Sequence, residues 1–356
     1  MKIGLLTSGG DCAGLNAVMR GFAKSAYKQI PSAEIVGILG GYAGLIDGEF
    51  RQMKKEEFNG ILTVGGTVLG SSRLPYKLVS SVVDKGSKVE AMKATYKKLG
   101  LDALVVLGGA GSHKTAALLS TEGLNVVGLP KTIDNDIWDT DMTFGFHSAM
   151  AIATECIDRI RTTAQSHKRT FVVEIMGNKV GWLTLYAGLA GGANVILLPE
   201  IPYDITKVIK AVDRFTKAQS DKSCIIAVAE GAMDKKEVSM GKKERSKKRT
   251  ERGETTASNR IAAAVGEALN IETRVVVPGH TQRGGIPSAY DRVLCTQIGA
   301  YGADLVAQKK FGVTVALQGN KITYNQLADI AGKPKLVPID HPLIQTAISI
   351  DVSFGE

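Results

Sequence analysis

At 356 residues, 44% hydrophobic and 22% charged, the chain is long enough for two cores of ordinary size and has the balance of a globular enzyme, not of a disordered or fibrous polymer. No run of about 18 apolar residues occurs, so no membrane helix is expected, and Cys12, Cys156, Cys224 and Cys295 lack the paired spacing of a zinc site or a disulfide framework. The net charge of +9 is uneven: the run 234–252 holds nine Lys/Arg against four Asp/Glu, which is +5, and leaves +4 for the rest. One basic insertion, read as a solvated loop, is unlike the basic and aromatic groove of a nucleic-acid protein, and neither a nucleic-acid nor a membrane partner is expected. Unpaired thiols, and a first segment (residues 1–6) that reads as a core strand and not a signal peptide, point to the cytoplasm.

Residues 2–7 predict a short apolar strand, and Ser8-Gly9-Gly10-Asp11-Cys12-Ala13-Gly14 turns into a helix from about Leu15. Glycines between a strand and a helix N-terminus aim backbone N–H groups and a positive dipole end at an anion. The pattern is neither G-x-G-x-x-G nor a Walker A loop. Residues 34–39 predict a second strand, followed by the loop Gly40-Gly41-Tyr42-Ala43-Gly44, in which Tyr42 either stacks on a base or is half-buried. In Gly65-Gly66-Thr67-Val68-Leu69-Gly70-Ser71-Ser72-Arg73 the planar fork of the arginine suits phosphate oxygens, the alternative being a plain surface arginine. A helix near 88–99 leads to an apolar strand over 103–107 and a second glycine loop, Gly108-Gly109-Ala110-Gly111-Ser112-His113, which opens another helix.

The strand-like run 124–129 ends in Pro130-Lys131-Thr132-Ile133-Asp134-Asn135-Asp136. Two carboxylates two residues apart, with a lysine and a threonine just before them, stand where open α/β sheets place their chemistry, at the carboxyl end of a parallel strand. One carboxylate there can accept a hydroxyl proton, the other can hold a metal-bound water, and the lysine can face phosphate. The competing reading is a polar turn. A helix over about 147–163 follows, with Ala149, Ile152, Ala153, Cys156, Ile157 and Ile160 on its buried face. Arg169 then opens a second βα series: a strand at 171–175, the turn Met176-Gly177-Asn178, a helix from Val180, a strand at 194–198, a helix at 205–218, and a strand at 224–229 ending in Glu230. After the basic run come a helix at 257–269, a strand at 274–277, Pro278-Gly279-His280-Thr281-Gln282-Arg283-Gly284-Gly285, a helix near 289–309, a strand at 313–317 and a tail. This alternation predicts two Rossmann-like parallel sheets with helices on both faces.

With the motifs Gly9-Gly10-Asp11, Gly65 through Arg73, Pro130 through Asp136, Met176-Gly177 and Gly279 through Gly285 in order, the chain resembles the phosphofructokinase family from residue 1 to about 317. It looks closest to the bacterial mixed-substrate branch, because Lys131 fills a position that is glycine in the well-known bacterial ATP enzymes. The resemblance implies a donor domain of residues 1–145 and 283–335 and a fructose 6-phosphate domain of residues 146–282 and 336–356, with the sugar between them. It implies transfer of a phosphoryl group from ATP to the 1-hydroxyl of fructose 6-phosphate with Mg2+, in a cytoplasmic homotetramer or homodimer whose active sites are shared between subunits. Asp134 would be the base; Thr132 would touch the transferring group, Asp136 would hold metal and water, and Lys131 would face phosphate. Met176, Gly177, Asn178 and Glu230 would line the sugar site, and Arg274, His280 and Arg283 would grip the 6-phosphate, with Arg169 supplied by a neighbouring subunit. Gly10, Arg73, Leu74, Ala110, Gly111, Ser112 and His113 would bind the nucleotide.

Several positions depart from the family pattern. Ala110 stands where an acid usually helps hold magnesium, which leaves the metal to Asp136, phosphates and water, and Asn178 replaces an arginine that neutralises phosphate. Gly111 leaves room for the α-phosphate of ATP, whereas Lys131 accompanies pyrophosphate use in many relatives. The alternatives are therefore a pyrophosphate-dependent phosphofructokinase and a non-catalytic regulatory subunit. Of the residues that bind effectors in relatives, Arg20, Lys24 and Arg161 are present, but Asn194 replaces a metal-binding acid and Gln219 and Asp221 replace basic residues. The expectation is weak or absent control by nucleotide and phosphoenolpyruvate.

Overall fold

A computed structural model describes residues 1–81, 85–218, 220, 222–251, 253 and 256–356. The chain forms two compact units, Met1–Ser148 with Arg283–Lys335, and Ala149–Gln282 with Leu336–Glu356. In the first, strands β1 (Lys2–Ser8), β2 (Glu34–Ile38), β3 (Phe50–Met53), β4 (Ala103–Gly108) and β5 (Val126–Pro130) join β10 (Val313–Gln318) and β11 (Lys321–Gln326). Their order is β11-β10-β5-β4-β1-β2-β3. β1, β2, β4, β5 and β10 run parallel, while β3 and β11 are antiparallel edges. In the second, β6 (Thr170–Ile175), β7 (Val195–Leu197), β8 (Cys224–Ala229) and β9 (Thr273–Val276) form an all-parallel sheet of order β7-β8-β6-β9.

The central strands β4, β5, β6 and β8 are buried along their whole length, which is why their sequences are near-continuous apolar runs without alternation. Each sheet carries its own core. One is built on Leu6, Val36, Leu104, Val106 and Leu119, the other on Val172, Val195, Val208, Ile226 and Val265. The helix that follows the first glycine loop is held by close packing on a second helix. Helix Leu15–Gln29 lies against helix Ala289–Ala307 through Gly21 and Gly299: a Cβ on Gly299 would stand 2.6 Å from the Phe22 nitrogen, and one on Gly21 would stand 2.9 Å from the Thr296 carbonyl. Ser288 caps the second of these helices by accepting from the Asp291 N–H.

Three local readings change. Residues 42–47 are a short helix, not an open loop, and Tyr42 is buried inside it with its hydroxyl donating to the Ser112 carbonyl at 2.9 Å. It has no face left to stack on a base. The basic run is helical over Lys235–Val238 and Lys242–Glu251. Lys, Arg and Glu are good helix formers, Glu244–Lys248 and Lys247–Glu251 pair at i,i+4, and Arg249 pins the helix by a fork to Glu237 at 2.8 Å. Arg252, the end of that run, lies outside the described residues. The tail is ordered as β11 and two helices, Leu327–Ile330 and Pro342–Ser349. Among the described residues, no helix is long and apolar enough to cross a membrane.

Candidate active site

The register of the first sheet decides which loops meet. Ser8 pairs with Gly108 and Gly108 with Pro130, so β1, β4 and β5 end level at one edge and release Gly9-Gly10, Ala110–Ser112 and Lys131–Asp136 together. The segment ending in Arg73 is stitched to the same edge: Ser8 bridges Ser72, the Gly9 N–H donates to the Ser72 carbonyl at 3.0 Å, and the Ser71 hydroxyl donates to the Gly9 carbonyl at 2.7 Å.

Three cations gather on the first glycine loop. The Lys131 ammonium donates to the Gly10 carbonyl, the Arg283 guanidinium donates to the Asp11 carbonyl at 3.0 Å, and a Cβ added at Gly10 would lie 2.8 Å from Arg283 Nη1 and 3.2 Å from Arg73 Nη2. Glycine at position 10 is what allows both arginines to close on the backbone. Burial lowers the Lys131 ammonium from its ordinary range, and the Asp134 and Asp136 carboxylates oppose that shift. The helix Ala110–Thr121 starts beside them with no acid in its first turn, leaving its N-terminal amides to an anion. A Cβ on Gly111 would meet nothing within 4 Å.

The carboxylate loop is internally braced. The Thr132 hydroxyl accepts from the Asp134 N–H at 3.0 Å, and Asn135, at φ +53°, accepts from the Thr143 N–H at 3.0 Å and donates to the Asp141 carbonyl at 3.2 Å. Asparagine tolerates this left-handed backbone, which turns the chain sharply between Asp134 and Asp136. Burial raises the Asp136 carboxyl, with Lys131, Thr132 and Lys335 acting against it, and its Oδ1 is buried without a hydrogen-bond partner. Among the described residues, no three His, Cys, Asp or Glu side chains are grouped for a metal. Mg2+ commonly needs only one or two carboxylates besides substrate phosphates and water, and an orphaned, buried oxygen on Asp136 fits that donor set.

In the second unit, Met176-Gly177-Asn178 and Glu230 form one piece. Ile175 and Ala229 end their strands in register, and Glu230 Oε1 accepts from the Gly177 N–H at 3.2 Å and the Asn178 N–H at 2.6 Å. Gln282, buried, accepts from the Met176 N–H at 3.4 Å and donates to the Gly279 carbonyl at 3.1 Å, joining the exposed His280 turn to the same edge. Arg169 and Arg274 stand at the other edge. Arg169 precedes β6, and Arg274 registers with Phe171 near the start of β6. Both guanidiniums hold Glu272, that of Arg169 at 2.6 Å, and the two arginines depress the Glu272 carboxyl.

The structure gives several of the sequence-predicted residues particular partners. His113 is turned into the core, its Nδ1 at 3.0 Å from the Gly109 carbonyl and its Nε2 at 2.8 Å from the Thr314 hydroxyl; burial pushes it down to about 4, and its side chain cannot serve a nucleotide. The Ser112 hydroxyl is spent on the Ser8 hydroxyl at 3.0 Å, and Leu74 packs on the hydrophobic core. Arg274 is separated from His280 by the length of the strand, and Arg283 belongs to the first unit, on the Gly10 loop. Arg161 caps the helix Trp182–Ala190 through the Gly191 and Gly192 carbonyls, and Asn194 accepts from the Ile225 N–H at 2.9 Å; Gln219 and Asp221 lie outside the described residues. Sequence reasoning missed Asn135, Glu272, Gln282 and Lys335. Asn135 and Gln282 lay inside motifs the sequence singled out, Asn135 as an asparagine at a corner between two acids; Glu272 and Lys335 carried no signal.

A family model described as Phosphofructokinase matches residues 2–306. The chain belongs to the phosphofructokinase family. It is 51% identical over 358 positions to an ATP-dependent 6-phosphofructokinase of Spirochaeta thermophila, covering 99% of this chain and 97% of that one. It is also 45% identical over 349 positions to a pyrophosphate–fructose 6-phosphate 1-phosphotransferase of Amycolatopsis methanolica, covering 95% and 96%. Among solved structures, a phosphofructokinase from Saccharomyces cerevisiae matches with a TM-score of 0.80 at 30% identity over 99% of this chain, which spans 48% of the yeast chain. A pyrophosphate-dependent phosphofructokinase from Nitrosospira multiformis, at a TM-score of 0.82 but 21% identity, speaks for the fold alone. Within the phosphofructokinase match lie all of the sequence-predicted site residues; β10, β11 and Lys335 fall beyond it.

Proposed function

We propose that this phosphofructokinase transfers the terminal phosphoryl group of ATP to the 1-hydroxyl of fructose 6-phosphate, as a glycolytic enzyme of the cytoplasm. The observation that carries the reading is the level ending of β1, β4 and β5, which sets Gly10, the helix start at Ala110 and the Asp134–Asp136 corner at one edge. The first unit then takes the donor and the second, through Met176, Gly177, Asn178, Glu230 and His280, takes the sugar phosphate.

Phosphoryl transfer needs positioning and charge neutralisation more than covalent help. Lys131, Arg73 and Arg283 supply positive charge around the Gly10 loop, and the amides of Ala110 and Gly111 add the positive end of a helix dipole. The Asp134 carboxylate takes the proton from the 1-hydroxyl as that oxygen attacks, an action worth roughly 10²–10⁴ in rate. Thr132 both braces the Asp134 amide and stands next to the transferring group. Mg2+ held by Asp136, phosphate oxygens and water would neutralise charge on the donor. Arg169 and Arg274, on the far edge of their own sheet, serve the sugar phosphate of another copy, so the working enzyme is a homo-oligomer. With Arg161 and Asn194 engaged in backbone contacts, control by nucleotide and phosphoenolpyruvate is weak.

Pyrophosphate as donor is the second reading, favoured by the buried Lys131 ammonium on the Gly10 loop. The open space at Gly111 favours ATP, since nothing there obstructs a larger donor. Phosphorylation of fructose 6-phosphate with Mg2+ and either ATP or pyrophosphate tests the reading. Turnover with ATP supports it, turnover with pyrophosphate alone moves it to the second donor, and no turnover with either, in protein that still binds the sugar phosphate, means a non-catalytic subunit.

A further inference from the structure

The corner that carries Asp134 and Asp136 has no regular structure to hold it, so its backbone needs partners from elsewhere. On one side, Asn135 ties it to Asp141 and Thr143. On the other side lies the C-terminal segment of the first unit. Pro334 forms an antiparallel bridge with Ile137, and Lys335 then touches the loop three times. Its N–H donates to the Asp136 carbonyl at 3.0 Å, and its ammonium donates to the Thr140 carbonyl at 2.8 Å and the Asp141 carbonyl at 2.7 Å. The same loop is locked to β10: the Asp141 N–H donates to the Leu317 carbonyl at 2.7 Å, the Leu317 N–H to the Thr140 hydroxyl at 3.0 Å, and the Gly319 N–H to Asp141 Oδ2 at 2.5 Å.

An ammonium suits this place better than a neutral donor. It offers three protons to a group of carbonyls, its hydrogen bonds are charge-assisted, and the carboxylates of Asp136 and Asp141 both act on it electrostatically. Lys131 sits at the start of the loop, on the Gly10 carbonyl. The loop from Thr132 to Thr143 is therefore held between two lysines, one from the phosphate-facing motif and one from a segment beyond the span shared with the family model.

We infer that Lys335 is a positioning residue for phosphoryl transfer: by gathering the carbonyls of Asp136, Thr140 and Asp141 it sets where the Asp136 and Asp134 carboxylates stand. This rests on the function proposed above. Lys335 touches no reacting atom; it acts through the loop. Loss of its ammonium loosens the corner while leaving the sugar-phosphate residues of the second unit as they are, so turnover falls and sugar affinity does not.

The test compares Lys335→Met and Lys335→Arg with the unchanged protein in steady-state kinetics with fructose 6-phosphate, and in amide hydrogen exchange read by mass spectrometry. Expected are a kcat at least tenfold lower for Lys335→Met with KM for fructose 6-phosphate within threefold. Lys335→Arg, whose guanidinium can also donate to both carbonyls, is expected to restore at least a third of the activity. Exchange in Lys335→Met should quicken at least tenfold across 134–141 and stay unchanged in β1, β4 and β6. A Lys335→Met protein with kcat within threefold of the parent overturns the inference. One that fails to fold, or that loses stability and sugar affinity together with kcat, overturns it in favour of a purely structural ammonium. If the unchanged protein turns over neither donor, the proposed function falls, and the exchange of 134–141 alone then decides whether Lys335 positions the loop.

Discussion

Arg274 and Met176 lie at opposite edges of one sheet: Arg274 pairs in register with Phe171, near the start of β6, and Met176 follows the end of that strand. Five residues of extended chain separate the two levels, about 17 Å at 3.3 Å per residue. Neither Arg274 nor its Glu272-linked neighbour Arg169 can reach across that strand to the Met176 turn of the same chain, although the sequence puts Arg274 only six positions before His280.

Complementation between copies follows. Asp134→Asn and Arg274→Ala chains are each expected to be nearly inactive alone, the first in kcat and the second in KM for fructose 6-phosphate. Unfolded together and refolded as a mixture, they should regain activity, because some sites pair an intact Asp134 with an intact Arg274. A mixture no more active than the sum of its parts would mean that each chain builds its own site.

For Asp134 the expected loss is that of a general base. Asp134→Asn should lower kcat by roughly 10²–10⁴ and leave KM for fructose 6-phosphate within threefold, read in a coupled assay. A tenfold or smaller loss would remove Asp134 from the proton transfer.

Gly10→Ala probes the cation cluster. The new methyl would stand 2.8 Å from Arg283 Nη1, so the guanidinium must leave the Asp11 carbonyl. Displacement of a phosphate-facing group by about 1 Å is costly; kcat/KM for the donor is expected to fall at least tenfold with unfolding by urea almost unchanged. Unchanged donor kinetics would show that the arginines do not serve the donor.

Gly111→Asp separates the donors. Space around the Gly111 Cβ position is open, so the fold accepts the side chain, but a carboxylate at a helix start competes with an anionic donor and fills the room a nucleotide needs. The expected result is a loss of ATP turnover of about a hundredfold, some 2.7 kcal/mol, with pyrophosphate turnover less affected. Equal losses with both donors would mean that charge alone, and not the space, is at work.

His113 gives stability a specific pH dependence. Its ordinary value is 6.5 and burial holds it down to about 4, so between these values the unfolded chain binds more protons than the folded one. Stability therefore rises with pH through this window and is lost as pH falls, by about 2 kcal/mol between pH 7 and pH 5. In His113→Gln that share of the pH dependence should vanish from urea unfolding. An identical slope in the variant would mean that the imidazole is protonated or exposed.

Much was legible without coordinates because the physics was local. Apolar runs of strand length, glycines at strand–helix junctions and the spacing of helical residues are short-range patterns, and they marked β1, β4, β5, β6 and β8 and the Pro130–Asp136 corner directly. The antiparallel edge β11 and the helical basic run escaped because one depends on a partner strand and the other on a salt link to Glu237. Only the tertiary structure decided where side chains point. Ser112 and His113 follow Ala110 and Gly111 in the same motif, yet a helical turn swings their side chains toward Ser8 and Thr314. Strand register, a property of two segments far apart in sequence, sent Arg274 to one edge of its sheet and His280 to the other. Lys335 had no motif at all; its place under the Asp136 corner exists because a distant segment folds back as the antiparallel partner of Ile137.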